Sequence, residues 1–330
     1  MYTAKKDRYK GAEFNRCGKS GLLLPKVSLG FWHNFGTNGD YENMKAMCFT
    51  AFDNGITHFD VANNYGPEPG SAEEHLGKIL HEEMSAYRDE LIISTKAGYD
   101  MWDGPYGTFG SKKSLIASLD QSLKRLKLDY VDIFYHHRPD PETPLEESMH
   151  ALATAVHSGK ALYAGISNYN GETMKKAAAL LKSMNCPFII NQNRYSIFDR
   201  TIEQNGLLAA AKEEGKGIIA FSPLEQGMLS DRYLHGIPSD SRIRTDGRFL
   251  TESRLTPERM NQIERLNEVA KRRGQTLAQM ALSWVLKDKT VTSVLIGASK
   301  PSQIVENIHA ASGAPFSNEE LKEIDEISLS

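Results

Sequence analysis

Four side chains able to take part in proton transfer stand just past short apolar runs in the first half of the chain. Asp60 closes the run Thr57-His58-Phe59-Asp60, and Tyr65 follows it in the loop Asn63-Asn64-Tyr65-Gly66. Lys96 follows Leu91-Ile92-Ile93-Ser94, and the pair His136-His137 follows Val131-Asp132-Ile133-Phe134-Tyr135. A carboxylate, a phenol, an ammonium and an imidazole at neighbouring strand ends could converge on one pocket. Charged side chains at buried strand ends are uncommon and ask for a reason. Each residue also has a plainer reading. Asp60 could cap a loop, Lys96 could pair with an acid on the rim, Tyr65 could pack, and a lone histidine is more often structural. The four together carry more weight than any one. The two histidines are consecutive, so on a strand they point to opposite faces and cannot ligate one ion. Val131, Ile133 and Tyr135 share a face with His137, and that face is the more apolar. His137 is therefore expected in the barrel mouth and His136 on the other side.

These positions presuppose a set of strands. Eight short apolar runs recur along the chain. They are Lys26 to Gly30, Thr57 to Asp60, Leu91 to Ser94, Val131 to Tyr135, Ala161 to Gly165, Phe188 to Asn191, Gly217 to Ala220 and Ser293 to Ile296. Segments of helical period lie between them, such as Ser114 to Leu126 and Thr276 to Leu282. Eight strands alternating with helices predict an α/β fold, a closed (β/α)₈ TIM barrel whose active site lies at the C-terminal strand ends. Phe14 to Leu24, with glycines at 18 and 21, predicts a β-hairpin ahead of the barrel. A long Gly/Arg/Ser-rich loop, about Asp231 to Ser253, follows the seventh strand, and long loops in compact domains are often functional. The rival fold, a doubly wound sheet, usually carries G-x-G-x-x-G after its first strand, and no such motif occurs. Arg16-Cys17-Gly18-Lys19-Ser20 resembles the end of a phosphate-binding loop, but Glu13 stands where its first glycine belongs. The expectation is one domain over residues 1–330.

Composition sets the outer bounds. The 330 residues carry a net charge of -3, which gives no basic field for nucleic acid. The three cysteines, Cys17, Cys48 and Cys186, are far apart and show no metal-type spacing, so buried or free thiols in a reducing compartment are expected. No apolar run could span a bilayer, and the opening residues, MYTAKKDRYKG, are too polar for a signal peptide. The expectation is a cytoplasmic protein with no membrane or nucleic-acid partner and no metal; a homo-oligomer is left open.

Over nearly its whole length the chain resembles the aldo-keto reductase superfamily. The resemblance rests on Phe59-Asp60-Val61-Ala62-Asn63-Asn64-Tyr65-Gly66, Ser94-Thr95-Lys96 and the stretch Tyr130 to Pro139. Gly165-Ile166-Ser167-Asn168, Asn191-Gln192-Asn193, Phe221-Ser222-Pro223-Leu224 and Ile296-Gly297-Ala298-Ser299 follow in order. The chain looks like the branch that holds bacterial L-glyceraldehyde 3-phosphate reductases and the potassium-channel β-subunits. Gly30-Phe31-Trp32-His33-Asn34-Phe35-Gly36 and Gly66 to Glu73 point to the bacterial reductases.

The resemblance implies NADPH-dependent (NADP+) reduction of a small aldehyde or ketone. Amino acids cannot supply a hydride, so a nicotinamide must. Tyr65 would be the general acid, and Lys96 would lower its pKa from about 10. Asp60 would hold Lys96, and His137 would orient the carbonyl. Ser167, Asn168 and Gln192 would grip the carboxamide. Phe221 would stack on the ring, where relatives often carry tyrosine or tryptophan. Backbone amides of the turn Ser222 to Gly227, through Pro223, Leu224 and Gln226, would track the pyrophosphate. Arg232 and Arg242, with Ser241 beside them, would meet the phosphates. Gly297, Ser299, Gln303, Glu306 and Asn307 would bind the adenosine end near a helix N-terminus. Trp32 and Asp60 count among the cofactor contacts too. Many relatives carry lysine at the Gly297 position and arginine at the Gln303 position, so preference for NADPH rests on Arg242 and Lys300. Trp32, Tyr65, Trp102 and His137 would contact substrate, with Tyr99 and Tyr106 walling the mouth. Glyceraldehyde 3-phosphate and methylglyoxal are the leading substrates, with Arg138, Lys112 and Lys113 the candidate phosphate anchors.

Two rival functions differ in class. A nucleotide-binding redox sensor of the channel β-subunit type would keep Asp, Tyr and Lys but carry asparagine where His137 stands. A metal-dependent hydrolase on the same barrel needs clustered ligands at strand ends, and one usable histidine argues against it.

Overall fold

The computed structural model describes residues 1–330 apart from His235, Asp240, Arg248, Phe249 and Ser330, and all side chains of the rest except those of Arg242, Thr245, Ala311 and Ser312. Ten strands are assigned among these residues. A two-stranded antiparallel hairpin comes first, β1 (Phe14–Arg16) and β2 (Leu23–Pro25). Eight parallel strands then close on themselves: β3 (Val27–Gly30), β4 (His58–Asp60), β5 (Ile92–Ala97), β6 (Val131–His136), β7 (Ala161–Ser167), β8 (Phe188–Arg194), β9 (Gly217–Phe221) and β10 (Val291–Ile296). β10 pairs with both β9 and β3, and that pairing shuts the barrel. This is the (β/α)₈ TIM barrel with an N-terminal hairpin that the alternation predicts.

The helices obey the same periodicity. In Lys112–Leu126, Leu115, Leu119 and Leu126 are buried on one face with Ser114, Ser118 and Ser122 beside them, and Ser111 caps the start by accepting from the Ser114 N–H. Truncating one such leucine to alanine costs about 2–5 kcal/mol. The helix Leu277–Val285 opens with a reciprocal capping box between Thr276 and Gln279. No helix among the described residues is long and apolar enough to cross a membrane.

The barrel interior is graded from one end to the other. Its floor is apolar, built from Ile133, Ile189, Ile190, Ile219 and Leu295, with Cys17 and Leu24 of the hairpin packed beneath. The hairpin turn is pinned there by the Lys19 N–H donating to the Gly215 carbonyl at 2.7 Å, so the resemblance to a phosphate loop is only a tight turn. Towards the C-terminal strand ends the interior becomes polar, with Ser28, His58, Asp60, Ser94, Lys96 and Gln192 all buried. Gly165 makes room for this layer, because a Cβ there would meet the Tyr135 ring at 2.5 Å. Cys17, Cys48 and Cys186 are all buried free thiols.

Candidate active site

The polar layer opens into a cleft of about 970 Å³ at the C-terminal ends of the strands. That is the upper end of the usual range for a small-molecule site, and its position is the one the barrel architecture dictates.

Asp60 and Lys96 form its base. β4 and β5 pair in register with Asp60 opposite Ser94, which brings the two charges together. Lys96 Nζ donates to Asp60 Oδ2 at 2.5 Å and to the Val61 carbonyl at 2.8 Å. Asp60 Oδ1 accepts from Ser94 Oγ at 2.6 Å and from Gln192 Nε2 at 3.2 Å. A buried charge pair needs partners for its remaining donors and acceptors, and Val61, Ser94 and Gln192 supply three here. Burial lowers the Lys96 ammonium from its ordinary value, and Asp60 opposes that shift.

Tyr65 stands above the pair on a tight turn. Its N–H donates to the Ala62 carbonyl and its carbonyl accepts from the Ala72 N–H. Gly66 follows at φ +101°, a conformation that side chains rarely adopt, and a Cβ there would meet Ser71 Oγ at 2.0 Å. Lys96 Nζ lies 4.9 Å from the centroid of the Tyr65 ring. The expected lowering of the phenol is corrected by the structure. Lys96 aims its hydrogen bonds at Asp60 and Val61, so burial, then Asp60, then Tyr99 push Tyr65 well above its ordinary value. The phenol is held protonated.

His137 lines the cleft from the end of β6, and its ring meets Tyr65 edge-on at 5.8 Å and Tyr99 at 4.6 Å. Burial, reinforced by Lys96, lowers it well below the usual imidazole value, so the ring is neutral and carries one N–H. His136 faces outward, where its Nδ1 meets the Tyr169 hydroxyl at 2.7 Å and Gly110 leaves it room. The opposite orientations follow the strand alternation.

Most of the remaining candidates gather on the same wall. Trp32, Asn168, Gln192, Phe221, Ser222, Pro223, Leu224, Gln226, Gly227, Arg232, Gly297, Ser299, Gln303, Glu306 and Asn307 line the cleft. Ser167 is buried behind it and accepts from Asn168 Nδ2 at 3.2 Å. Ser241 is buried and off the lining, and the Arg242 side chain lies outside the described set. The fit to a dinucleotide shows in the backbone. Asn168, Ser222, Glu225 and Gln226 are left-handed at φ +63°, +53°, +48° and +60°, along the path where carboxamide and pyrophosphate would run. Left-handed non-glycine residues are uncommon and cluster at functional sites, held there by the surrounding structure. Buried Glu225 anchors this turn by accepting from Ser196 Oγ at 2.8 Å. At the far end, Gln303 Oε1 accepts from the Ser299 N–H at 2.8 Å, tying the loop after β10 to its helix.

Other candidates are not brought to the cleft. Trp102 and Tyr106 are absent from its lining; they lie in a loop that the Met101 N–H closes by bonding the Gly107 carbonyl. Arg138 stacks on Tyr99 and Phe109, 4.3 Å from each ring, and donates to the Gly98 carbonyl. Lys112 is engaged with His150 and Lys113 lies over Tyr106. The three phosphate anchors expected from the sequence are therefore off the lining. The cation sequence reasoning missed is Arg194, which lines the cleft with its side chain 47% exposed and Asp199 3.9 Å away. It sits two residues beyond Gln192 on β8, on the same face, and that spacing was the available signal.

The aldo/keto reductase family model matches residues 26–329. The L-glyceraldehyde 3-phosphate reductase of Escherichia coli is 55% identical over 329 residues, covering 99% of this chain and 95% of that protein. A protein of Arabidopsis thaliana named "Probable voltage-gated potassium channel subunit beta" is 34% identical over 310 residues, covering 92% of each.

Proposed function

The chain belongs to the aldo/keto reductase family, an oxidoreductase family, and from that premise we propose that it is an NADPH-dependent reductase of small aldehydes, with glyceraldehyde 3-phosphate and methylglyoxal-like compounds as substrates. The observation that carries the reading is the buried Asp60–Lys96 pair set beneath Tyr65, with neutral His137 beside it at the mouth of the cleft. The reading treats residues 1–330 as one functional domain.

When bound, the nicotinamide supplies the hydride. Asn168 and Gln192 would hold its carboxamide with Ser167 behind them, Phe221 would cover the ring, and the left-handed turn Ser222 to Gly227 would follow the pyrophosphate. Ser299, Gln303 and Asn307 would take the adenosine end, and Arg232 and Arg242 the phosphates. His137 donates its N–H to the substrate carbonyl and sets its angle. Tyr65 keeps its proton until negative charge develops on that oxygen. An alkoxide is a far stronger base than a phenolate, so the proton moves even from a phenol held above its ordinary value. Lys96 offsets the phenolate left behind, and Asp60 keeps the ammonium in place. His137 also favours this enzyme over the sensor reading.

Arg194 supports an anionic substrate, since it lines the cleft and its nearest carboxylate oxygen, on Asp199, is 3.9 Å away. The test compares catalytic efficiency on glyceraldehyde with that on its 3-phosphate. The proposal requires a gain of roughly tenfold for the phosphate, the equivalent of one charge-assisted contact, and its loss in Arg194→Gln. Equal efficiencies in the unaltered protein contradict the phosphorylated substrate and leave a general aldehyde reductase.

A further inference from the structure

Beneath the site runs a buried chain of hydrogen bonds that the proposed mechanism does not use. Ser293 Oγ lies 2.7 Å from Ser28 Oγ, Ser28 Oγ 2.9 Å from His58 Nδ1, and His58 Nε2 2.9 Å from Ser94 Oγ. Ser94 Oγ in turn donates to Asp60 Oδ1 at 2.6 Å. Each link comes from a different neighbouring strand, β10, β3, β4 and β5, and every member is buried. The chain thus crosses half the barrel interior and ends on the carboxylate that holds Lys96.

Its direction follows from counting protons. An ionised carboxylate only accepts, so the single Ser94 proton goes to Asp60. Ser94 must then accept from His58, which places the imidazole proton on Nε2. Burial pushes His58 down to about 4, so the ring is neutral and has no second proton. Nδ1 therefore accepts, Ser28 donates to it, and Ser293 supplies the last donor, sharing its proton with the Lys26 carbonyl 3.3 Å away. The opposite tautomer would set the Nε2 lone pair and Asp60 in competition for one hydroxyl proton. Aligned hydrogen bonds polarise one another, so each donor in the chain strengthens the next.

We propose that His58 is a positioning residue for carbonyl reduction, acting through Ser94 to fix the Asp60 carboxylate and, through it, the Lys96 ammonium beneath Tyr65. This rests on the reductase reading above. His58 touches neither the cleft nor any reacting atom, and its whole effect passes through one serine hydroxyl.

The test is a double-mutant cycle in steady-state reduction of glyceraldehyde by NADPH, with NADPH affinity and thermal midpoint measured on each variant. Ser94→Ala is expected to lower kcat roughly tenfold, and His58→Leu roughly three- to tenfold, the scale of one weakened buried hydrogen bond. NADPH affinity should hold within about twofold, and His58→Gln, which can place an amide N–H towards Ser94, should recover most of the loss. In the Ser94→Ala background, His58→Leu should cost nothing further, because its route is already cut. Ser28→Ala, which only removes one hydroxyl, gives the same sign should His58→Leu fail to fold. Unchanged kcat in both His58→Leu and Ser28→Ala overturns the inference, as does an undiminished further loss in the Ser94→Ala background. Failure of the reductase reading is distinct: the unaltered protein would then not oxidise NADPH with an aldehyde at all.

Discussion

Lys96 Nζ sits 2.5 Å from Asp60 Oδ2, and both side chains are removed from solvent. Neighbouring strands β4 and β5 place them there, so the pair is part of the barrel wall as well as of the site. Breaking such a pair strands one charge in a medium that cannot solvate it. Lys96→Met should therefore abolish reduction and also destabilise the fold by about 3–5 kcal/mol in denaturant unfolding. A change below about 1 kcal/mol would mean that Asp60 is solvated or neutral in the folded state, and the site as described would be wrong.

Acid should weaken the protein through its interior histidines. Burial pushes His58 and His136 down to about 4 and lowers His137 well below its usual value. Their folded-state values lie below the unfolded value near 6.5. The unfolded chain thus takes up protons that the folded chain refuses. Stability is full above about pH 6.5 and falls as pH drops through the window towards 4. Thermal unfolding at pH 7.5, 6 and 5 should show a falling midpoint, and His58→Gln should flatten the slope. A midpoint constant across that range would show that these rings are not buried neutral.

Much of the fold and of the site is legible in the sequence. Asp60, Lys96 and His137 announce themselves because a charge or imidazole ends an apolar run, and strand alternation separates His137 from His136. Loop paths are less legible. Trp102 and Tyr106 follow β5 in sequence, yet they are absent from the cleft lining, in a loop closed by the bond from the Met101 N–H to the Gly107 carbonyl. Arg138 is spent on Tyr99 and Phe109, a stacking that no spacing rule reveals. Ser28, His58 and Ser293 looked like ordinary strand residues. Only the side-chain hydrogen bonds across β10, β3 and β4 show that they form one chain. The direction of the Tyr65 shift was hidden for a similar reason, since it depends on where Lys96 points its three protons.

The proposed preference for NADPH rests on Arg242 of the long loop and on Lys300, which precedes the helix after β10. NADPH should bind more tightly than NADH, and Arg242→Ala should narrow the gap by roughly tenfold, because a planar guanidinium donates two hydrogen bonds to a phosphate. Fluorescence titration of both cofactors would show it. Equal affinities in the unaltered protein would refute a site for the adenosine phosphate.

The central claim is that Tyr65 gives the proton in a hydride-transfer reduction. The most direct measurement is a single turnover: protein loaded with NADPH, mixed with excess glyceraldehyde, and followed by loss of nicotinamide absorbance. The unaltered protein should oxidise its NADPH, while Tyr65→Phe should bind NADPH with similar affinity and oxidise it about 10²–10⁴-fold more slowly. Tyr65→Phe turning over at the full rate would contradict the assignment of the acid, and bound NADPH left unoxidised in the unaltered protein would contradict the reductase itself.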